Sequence, residues 1–203
     1  MRESAQMSSD SAALLADLRR LIEERGKRVS FEPGLSAAEL MRIEDETGLH
    51  FPPDLADLLR MALPVSADAG GFPDWRSASA QHLRDLICRP IEEVIWSIEH
   101  DGPDVWPSVW GARPAETRAA VVAAETRLST VSRMIPVYSH RYIPESPHEP
   151  NNPIFSVVGY DVVYYGRDLG DYFHNEFGGS VPDQNRIISE AKHIDFWSDI
   201  AGE

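Results

Sequence analysis

Apolar residues in the first 130 positions recur mostly at the spacing of one helix face, about every 3.6 residues. The first predicted helix can be capped by Asp10 or Ser11 and ends at Gly26. Its buried stripe is Leu14, Leu15, Leu18, Leu21 and Ile22. Residues 1–9, which precede it, are small and polar and predict a flexible arm. The chain therefore begins, in this interpretation, with an arm and an amphipathic helix.

Two further helices are marked by their end signals. Ser36 and Glu39 form a capping-box pattern, and Gly48 ends the helix that follows. Pro53 suits the first turn of another helix, which Pro64 prevents from continuing. Later helices are predicted over 79–89, from Pro90 onward, over 114–132 and within 187–200. The region before residue 133 is thus predicted to be helical, with loops between.

The pattern changes between residues 134 and 166, where β-branched and aromatic residues are concentrated. Residues 154–158 and 162–165 are two apolar runs joined by a short connection that contains Gly159, which predicts a hairpin. Residues 134–140 predict a third strand, and a loop with four prolines joins it to the hairpin. A short helix over 169–177 should end at Gly178. We predict an α+β fold, in which a small central antiparallel sheet is surrounded by helices.

Length and charge narrow the classes of function. With 203 residues, the chain fits one domain over residues 10–203. Its net charge of −14 repels phosphate backbones, which argues against direct nucleic-acid binding and favours a basic protein partner. No apolar run approaches the roughly 20 residues of a membrane helix, and no leader pattern is visible. We expect a cytoplasmic protein in which Cys88, the single cysteine, is a buried free thiol.

The motifs of common enzyme classes are missing. The sequence has no glycine loop for phosphates, no GxSxG elbow, no HExxH and no CxxC. We therefore predict no catalytic residues, no metal site and no cofactor. His140 and His148 are the closest approach to a metal pair, but a third ligand is missing. A hydrolase centred on His140, Asp161 and Tyr164 remains a minor alternative.

An acidic run is the first candidate for binding a partner. Between residues 92 and 104 there are five carboxylates and no Lys or Arg: Glu92, Glu93, Glu99, Asp101 and Asp104. The simplest interpretation is a solvated helix face, but acid beside an exposed aromatic residue also suits a cationic partner. Trp106 is the better surface candidate, whereas Trp96 and Trp110 lie among apolar residues and are expected to be buried.

The second candidate is the polar cluster of His140, Arg141 and Tyr142. Arg and Tyr are frequent at protein interfaces, so the cluster can belong to a recognition surface. In the alternative interpretation, which we favour, Arg141 pairs with an internal carboxylate such as Asp161 or Glu176. His140 then bonds to the backbone.

Two blocks of sequence carry a family resemblance. The first, at 43–55, has Glu44, Gly48 and Pro52 at the motif positions. The second, at 135–177, preserves an ordered set: Asp161, Tyr164, Gly166, Leu169, Tyr172, Glu176 and Phe177. Trp110 and Gly111 form a pair between the blocks. Together these residues resemble the SUKH superfamily, which comprises fungal cell-wall-assembly regulators and bacterial immunity proteins, over about residues 35–177.

The resemblance implies an α+β fold, no catalysis and a protein partner. For bacterial members it implies binding and neutralising a toxin, often a nuclease. The fungal members imply the alternative of a regulatory or scaffold module with several partners. The family has no common set of toxin-contacting residues, so the resemblance assigns no binding residue to this chain.

Overall fold

The computed structural model describes residues 2–68, 70–179 and 181–202, with side chains from residue 10 onward. The fold is α+β. The helices are α1 (Arg2–Glu24), α2 (Ala37–Thr47), α3 (Pro53–Met61), α4 (Ala80–His100), α5 (Thr117–Leu128), α6 (Leu169–Gly178), α7 (Gln184–Glu190) and α8 (Trp197–Ile200). The strands are β1 (Val29–Pro33), β2 (Ala62–Ser66), β3 (Met134–Tyr138), β4 (Arg141–Pro144), β5 (Ile154–Val158) and β6 (Asp161–Gly166).

The larger sheet is antiparallel, has the strand order β3-β4-β5-β6, and is buried on both faces. Successive side chains point to opposite faces of a strand. Ile135 and Ile143 accordingly pack into a first core with α1, α2, α3 and α6. Met134, Tyr142 and Phe155 pack into a second core with α5 and α8. Covering both faces explains why these strands are apolar at nearly every position.

Helix α4 joins the two cores. Its first half places Leu83 and Ile87 in the first core, and its second half places Val94 and Ile98 in the second. The prediction of a new helix at Pro90 was wrong, because α4 runs through this residue. Pro90 has no N–H to donate to the preceding turn. The apolar contacts of both halves offset that loss and keep the helix continuous.

Several local predictions are confirmed. Ser36 and Glu39 form the capping box of α2, and Gly48 ends it with a left-handed backbone. The β5–β6 hairpin turns at Gly159, and α6 ends at Gly178 with Gly179 as its cap. These signals depend on a few neighbouring residues, so the sequence alone is sufficient to place them.

Three elements differ from the predictions. Helix α1 begins at Arg2 rather than beside Asp10, because residues 2–9 contain no Gly or Pro that would stop it. The flexibility of residues 1–9 stays a prediction, and Met1 lies outside the described residues. Strands β1 and β2 form a second, two-stranded sheet that was not predicted. β1 lies where no element was predicted, and β2 begins at Ala62 and Leu63, which were predicted as the end of the preceding helix. The third strand is in fact the hairpin β3–β4, which turns at Ser139 and His140.

Candidate functional site

Trp96 is the unexpected residue of the acidic run, because its side chain is 55% exposed. The prediction that it is buried was wrong. Val94 and Ile98 point into the second core, and the intervening position of an α-helix points to the opposite side. The indole instead stacks on the ring of His100, one turn later, with ring centroids 4.6 Å apart. Sequence reasoning missed this residue, although the helical spacing of its neighbours was the signal that marks it.

Carboxylates surround this indole. Glu92 and Glu99 are exposed and lie about one helical turn from Trp96 on either side. Glu93 is half-buried, and its Oε2 accepts a hydrogen bond of 3.1 Å from the backbone N–H of Gly159. Asp101 is exposed and caps the C-terminal end of α4. The helix and the β5–β6 turn are therefore held together beside the tryptophan.

The space between α4 and this turn is a depression of about 490 Å³. We call it, with the flanking Glu92 and Glu99, the acidic tryptophan surface. It is lined by Glu93, Trp96, Ser97, Asp101, Val158, Gly159, Tyr160 and Asp161. Val158 at its rim is 54% exposed. Neither Lys nor Arg is among these lining residues, so apolar area and negative charge are presented together.

Asp104 and Trp106 lie beyond the end of α4. Asp104 is exposed, but Trp106 is half-buried and packs edge-on against Trp110 with ring centroids 5.0 Å apart. The indole N–H of Trp106 donates to the carbonyl of Gly111 at 2.9 Å. Trp106, which was predicted to be the surface tryptophan, therefore makes its contacts inside the protein. Trp96 is the exposed tryptophan instead.

The structural interpretation of Arg141 is confirmed, with Glu176 rather than Asp161 as its partner. Arg141 is only 8% exposed. Its Nε lies 3.1 Å from Oε2 of Glu176, and its Nη1 donates to Oγ of Ser156 at 2.8 Å. The guanidinium also lies 3.6 Å above the ring of Tyr165. All of these contacts are internal, which leaves Arg141 poorly placed as an open contact surface.

Tyr142 and His140, the other two members of the predicted cluster, do not form an open recognition surface either. Tyr142 is 2% exposed because β4 is an inner strand, and burial raises the pKa of its phenol to about 12. His140 is exposed in the β3–β4 turn, and its Nδ1 lies 3.1 Å from the hydroxyl of Ser139 rather than on the backbone. Burial, and then the charge of Arg141, lower the pKa of His140.

The residues of the hydrolase alternative lie apart. His140 lines a cleft beside α4, whereas Asp161 lines the acidic depression. The hydroxyl of Tyr164 donates to Ser198 at the second core. Nothing in this arrangement joins the three groups into one reacting centre.

Metal and thiol chemistry add no second candidate. Among the residues that the structure describes, no group of three or more His, Cys, Asp or Glu side chains is placed to hold a metal ion. Cys88 is exposed, contrary to the prediction, because it lies on the outer side of α4. Partial burial, and then the Glu92 carboxylate, raise the pKa of its thiol, which disfavours the reactive thiolate.

In the described parts of the chain, no helix has the length and apolar character needed to cross a membrane.

Comparisons of the chain with protein-family models, with curated proteins and with solved structures found no match. The SUKH resemblance consequently rests on the two sequence blocks and stays a prediction.

Proposed function

We propose that this chain is a non-enzymatic binding protein that docks a basic protein on the acidic tryptophan surface. The observation that carries the proposal is Trp96, a large aromatic side chain left 55% exposed among carboxylates. Tryptophan is strongly enriched among the residues that dominate binding energy at interfaces. Surrounding carboxylates steer a cationic partner and allow cation–π contacts with the indole.

The partner class that fits this surface best is a toxin of the nuclease type. A nuclease needs a basic surface to hold phosphate backbones, and an acidic protein that covers this surface blocks its substrate. The net charge of −14 and the SUKH resemblance support the same assignment. Under this proposal the chain is an immunity protein that binds and neutralises its toxin. The alternative is a regulatory module that binds several partners weakly.

The test begins with the immobilised full chain, which should retain one basic partner at near-stoichiometric yield. The purified partner is then titrated with the wild type and with the triple variant Glu92→Gln, Asp101→Asn, Asp161→Asn. We expect the triple variant to bind at least about tenfold more weakly, since rim charges act on association and on complementarity. The difference should shrink as salt rises, because exposed charges are screened.

The matched control removes the same charge elsewhere. Glu23→Gln, Asp45→Asn and Glu125→Gln neutralise three exposed carboxylates that form no ion pair within the described residues. This control should bind like the wild type. If both triple variants lost the same affinity, the effect would follow from net charge alone, which would contradict the assigned surface. A scatter of weak partners instead of one tight partner would favour the regulatory module.

A further inference from the structure

A second concave site lies next to the acidic tryptophan surface and shares Glu93 and Val158 with it. It is a cleft of about 520 Å³ between α4, residues 68 and 70–74, and the β3–β4 turn. Small-molecule sites in proteins have volumes of roughly 300–1,000 Å³. Phe72, Pro136 and Val157 supply apolar lining, so the cleft has the size and the walls of a small-ligand site.

The acidic side chains that line the cleft already have partners. Asp68 pairs with Arg28. The Oδ1 of Asp74 accepts hydrogen bonds from the backbone N–H groups of Arg76 at 3.2 Å and Ser77 at 2.9 Å. Glu93 accepts from the N–H of Gly159. These carboxylates are therefore held by the protein itself.

Arg89 is the charged group of the cleft that lacks such a partner. No carboxylate among the described residues lies within 4.0 Å of its guanidinium, and it donates no hydrogen bond to them. Other arginines of the chain also lack a described carboxylate within 4.0 Å, Arg60 and Arg118 among them, but Arg89 is the one that lines this cleft. A guanidinium presents a planar fork of N–H donors that matches carboxylate and phosphate groups.

A second donor faces the same space. Tyr142 lines the cleft, and its hydroxyl has no hydrogen-bond partner in the described part of the chain. Burial raises the pKa of this phenol to about 12, and the charge of Arg89 acts on it in the opposite direction. The hydroxyl thus stays protonated at neutral pH and can donate. The imidazoles of His82 and His140 also line the cleft.

We propose that this cleft binds a small organic anion, a carboxylate or phosphate ester carried on a flat apolar body. Arg89 binds the anionic group, the hydroxyl of Tyr142 donates a hydrogen bond to it, and Phe72 and Pro136 contact the apolar body. The site is separate from the protein-docking role and does not depend on it. Its ligand would lie next to any protein bound on the acidic tryptophan surface.

The test uses two anionic probes and a neutral one. Phenyl phosphate, benzoate and benzamide are titrated into the full chain while the backbone amide resonances of Gly70 and Gly71, at the cleft wall, are followed by NMR. We expect at least one anion to shift these resonances saturably, and benzamide to leave them in place. The preferred anion distinguishes a phosphate ester from a carboxylate as the ligand class.

Variants assign the binding to the proposed groups. Arg89→Gln should weaken binding of the preferred anion at least about tenfold, as expected for loss of a charge-assisted contact. Tyr142→Phe should weaken it by a smaller factor, roughly threefold, because one neutral hydrogen bond is removed. The control Arg118→Gln removes the same charge from an exposed position on α5, outside the cleft, and should leave the affinity unchanged.

Three results would overturn the proposal. The first is that neither anion binds at concentrations up to about 10 mM, the weak end of specific recognition. The second is equal affinity of Arg89→Gln and wild type. The third is benzamide binding as tightly as the preferred anion, which would show that the charge of the ligand is not recognised. Circular dichroism of each variant separates a lost site from a lost fold.

Discussion

The Arg141 cluster on β4 and the acidic tryptophan surface on α4 contain the same kinds of residues and use them in opposite ways. Around Arg141, the guanidinium is bonded to Glu176 and Ser156 and stacked on Tyr165, all inside the protein. Around Trp96, exposed carboxylates and a half-exposed indole face solvent. In the first region the polar groups satisfy one another, whereas in the second they are available to a partner.

Residue type alone therefore does not distinguish a binding surface from a structural network. Charged groups beside aromatic residues occur in both places. What separates the regions is burial, because a buried charge must be paired inside the protein, while an exposed one is hydrated at little cost. Predictions about the two regions should therefore differ in kind. Changes near Arg141 act on stability, and changes near Trp96 act on binding.

Within the two compared regions, the largest effect is expected for Arg141→Met. This substitution keeps much of the side-chain volume but leaves the carboxylate of Glu176 without its partner in a mostly buried place. Removing one member of a buried pair typically costs about 3 kcal/mol or more. We expect the free energy of unfolding, measured by urea titration, to fall by about 3 kcal/mol.

An exposed ion pair provides the control for this measurement. Arg20 pairs with Asp17 and Glu24 on α1, and all three side chains are about half exposed. Arg20→Met should cost less than about 1 kcal/mol. Adding Glu176→Gln to Arg141→Met should restore part of the stability, since the unpaired charge is then gone. A loss for Arg141→Met no larger than that of Arg20→Met would contradict the structural role of this cluster.

The sequence predicted the parts of the fold that depend on neighbours along the chain. The capping box at Ser36 and Glu39 and the hairpin turn at Gly159 are decided by local chemistry and were correct. The β1–β2 pairing joins residues that are 29 to 37 positions apart and includes Pro33 and Pro64, which usually argue against a strand. Such a pairing depends on tertiary packing, so no local pattern indicated it.

The candidate site was half predicted for a similar reason. The acidic run on α4 is visible in the sequence, but which aromatic residue accompanies it depends on how the helix is rotated against the second core. Trp96 lies among apolar residues in the sequence, and yet its side chain points away from Val94 and Ile98. Trp106 lies beside an acid and a proline, and yet packs on Trp110. The helical spacing of Val94 and Ile98 indicates the rotation of α4, whereas the packing of Trp106 depends on tertiary contacts that the sequence does not show.

A smaller effect is expected for Tyr172→Phe, in the neighbourhood of Arg141. The Tyr172 hydroxyl is fully enclosed in the first core and has no hydrogen-bond partner among the described residues. Burial raises the pKa of this phenol well above its ordinary value, so the group stays neutral. Enclosing an unsatisfied hydroxyl costs about 1 kcal/mol or more. Tyr172→Phe should therefore stabilise the protein by about 1 kcal/mol in urea unfolding.

The same substitution at Tyr164 gives the matched comparison. The hydroxyl of Tyr164 donates to Ser198, so Tyr164→Phe removes a bond and leaves Ser198 with one partner fewer. We expect that variant to lose about 1 kcal/mol. If both variants changed stability in the same direction, the difference between a satisfied and an unsatisfied phenol would not be the cause.

The smallest effect on stability is expected for Trp96→Ser, and it tests the comparison most directly. The indole is more than half exposed and its ring contact is with His100 on the same helix. An exposed position of this kind typically changes stability by no more than about 0.5 kcal/mol. Binding of the basic partner should nevertheless fall at least about tenfold, because a central aromatic contact is removed.

Trp75→Ser is the control, because it makes the same substitution at a tryptophan that is buried. Trp75 is 2% exposed in the first core and packs edge-on against Phe51 at 5.0 Å between centroids. Its loss should cost roughly 3–5 kcal/mol, as for other large-to-small changes in a core. If Trp96→Ser destabilised the chain as much as Trp75→Ser does, Trp96 would be a structural residue. The reverse pair of results, unchanged stability with lost binding, would show that α4 carries its tryptophan for the partner, since the fold itself gains nothing from it.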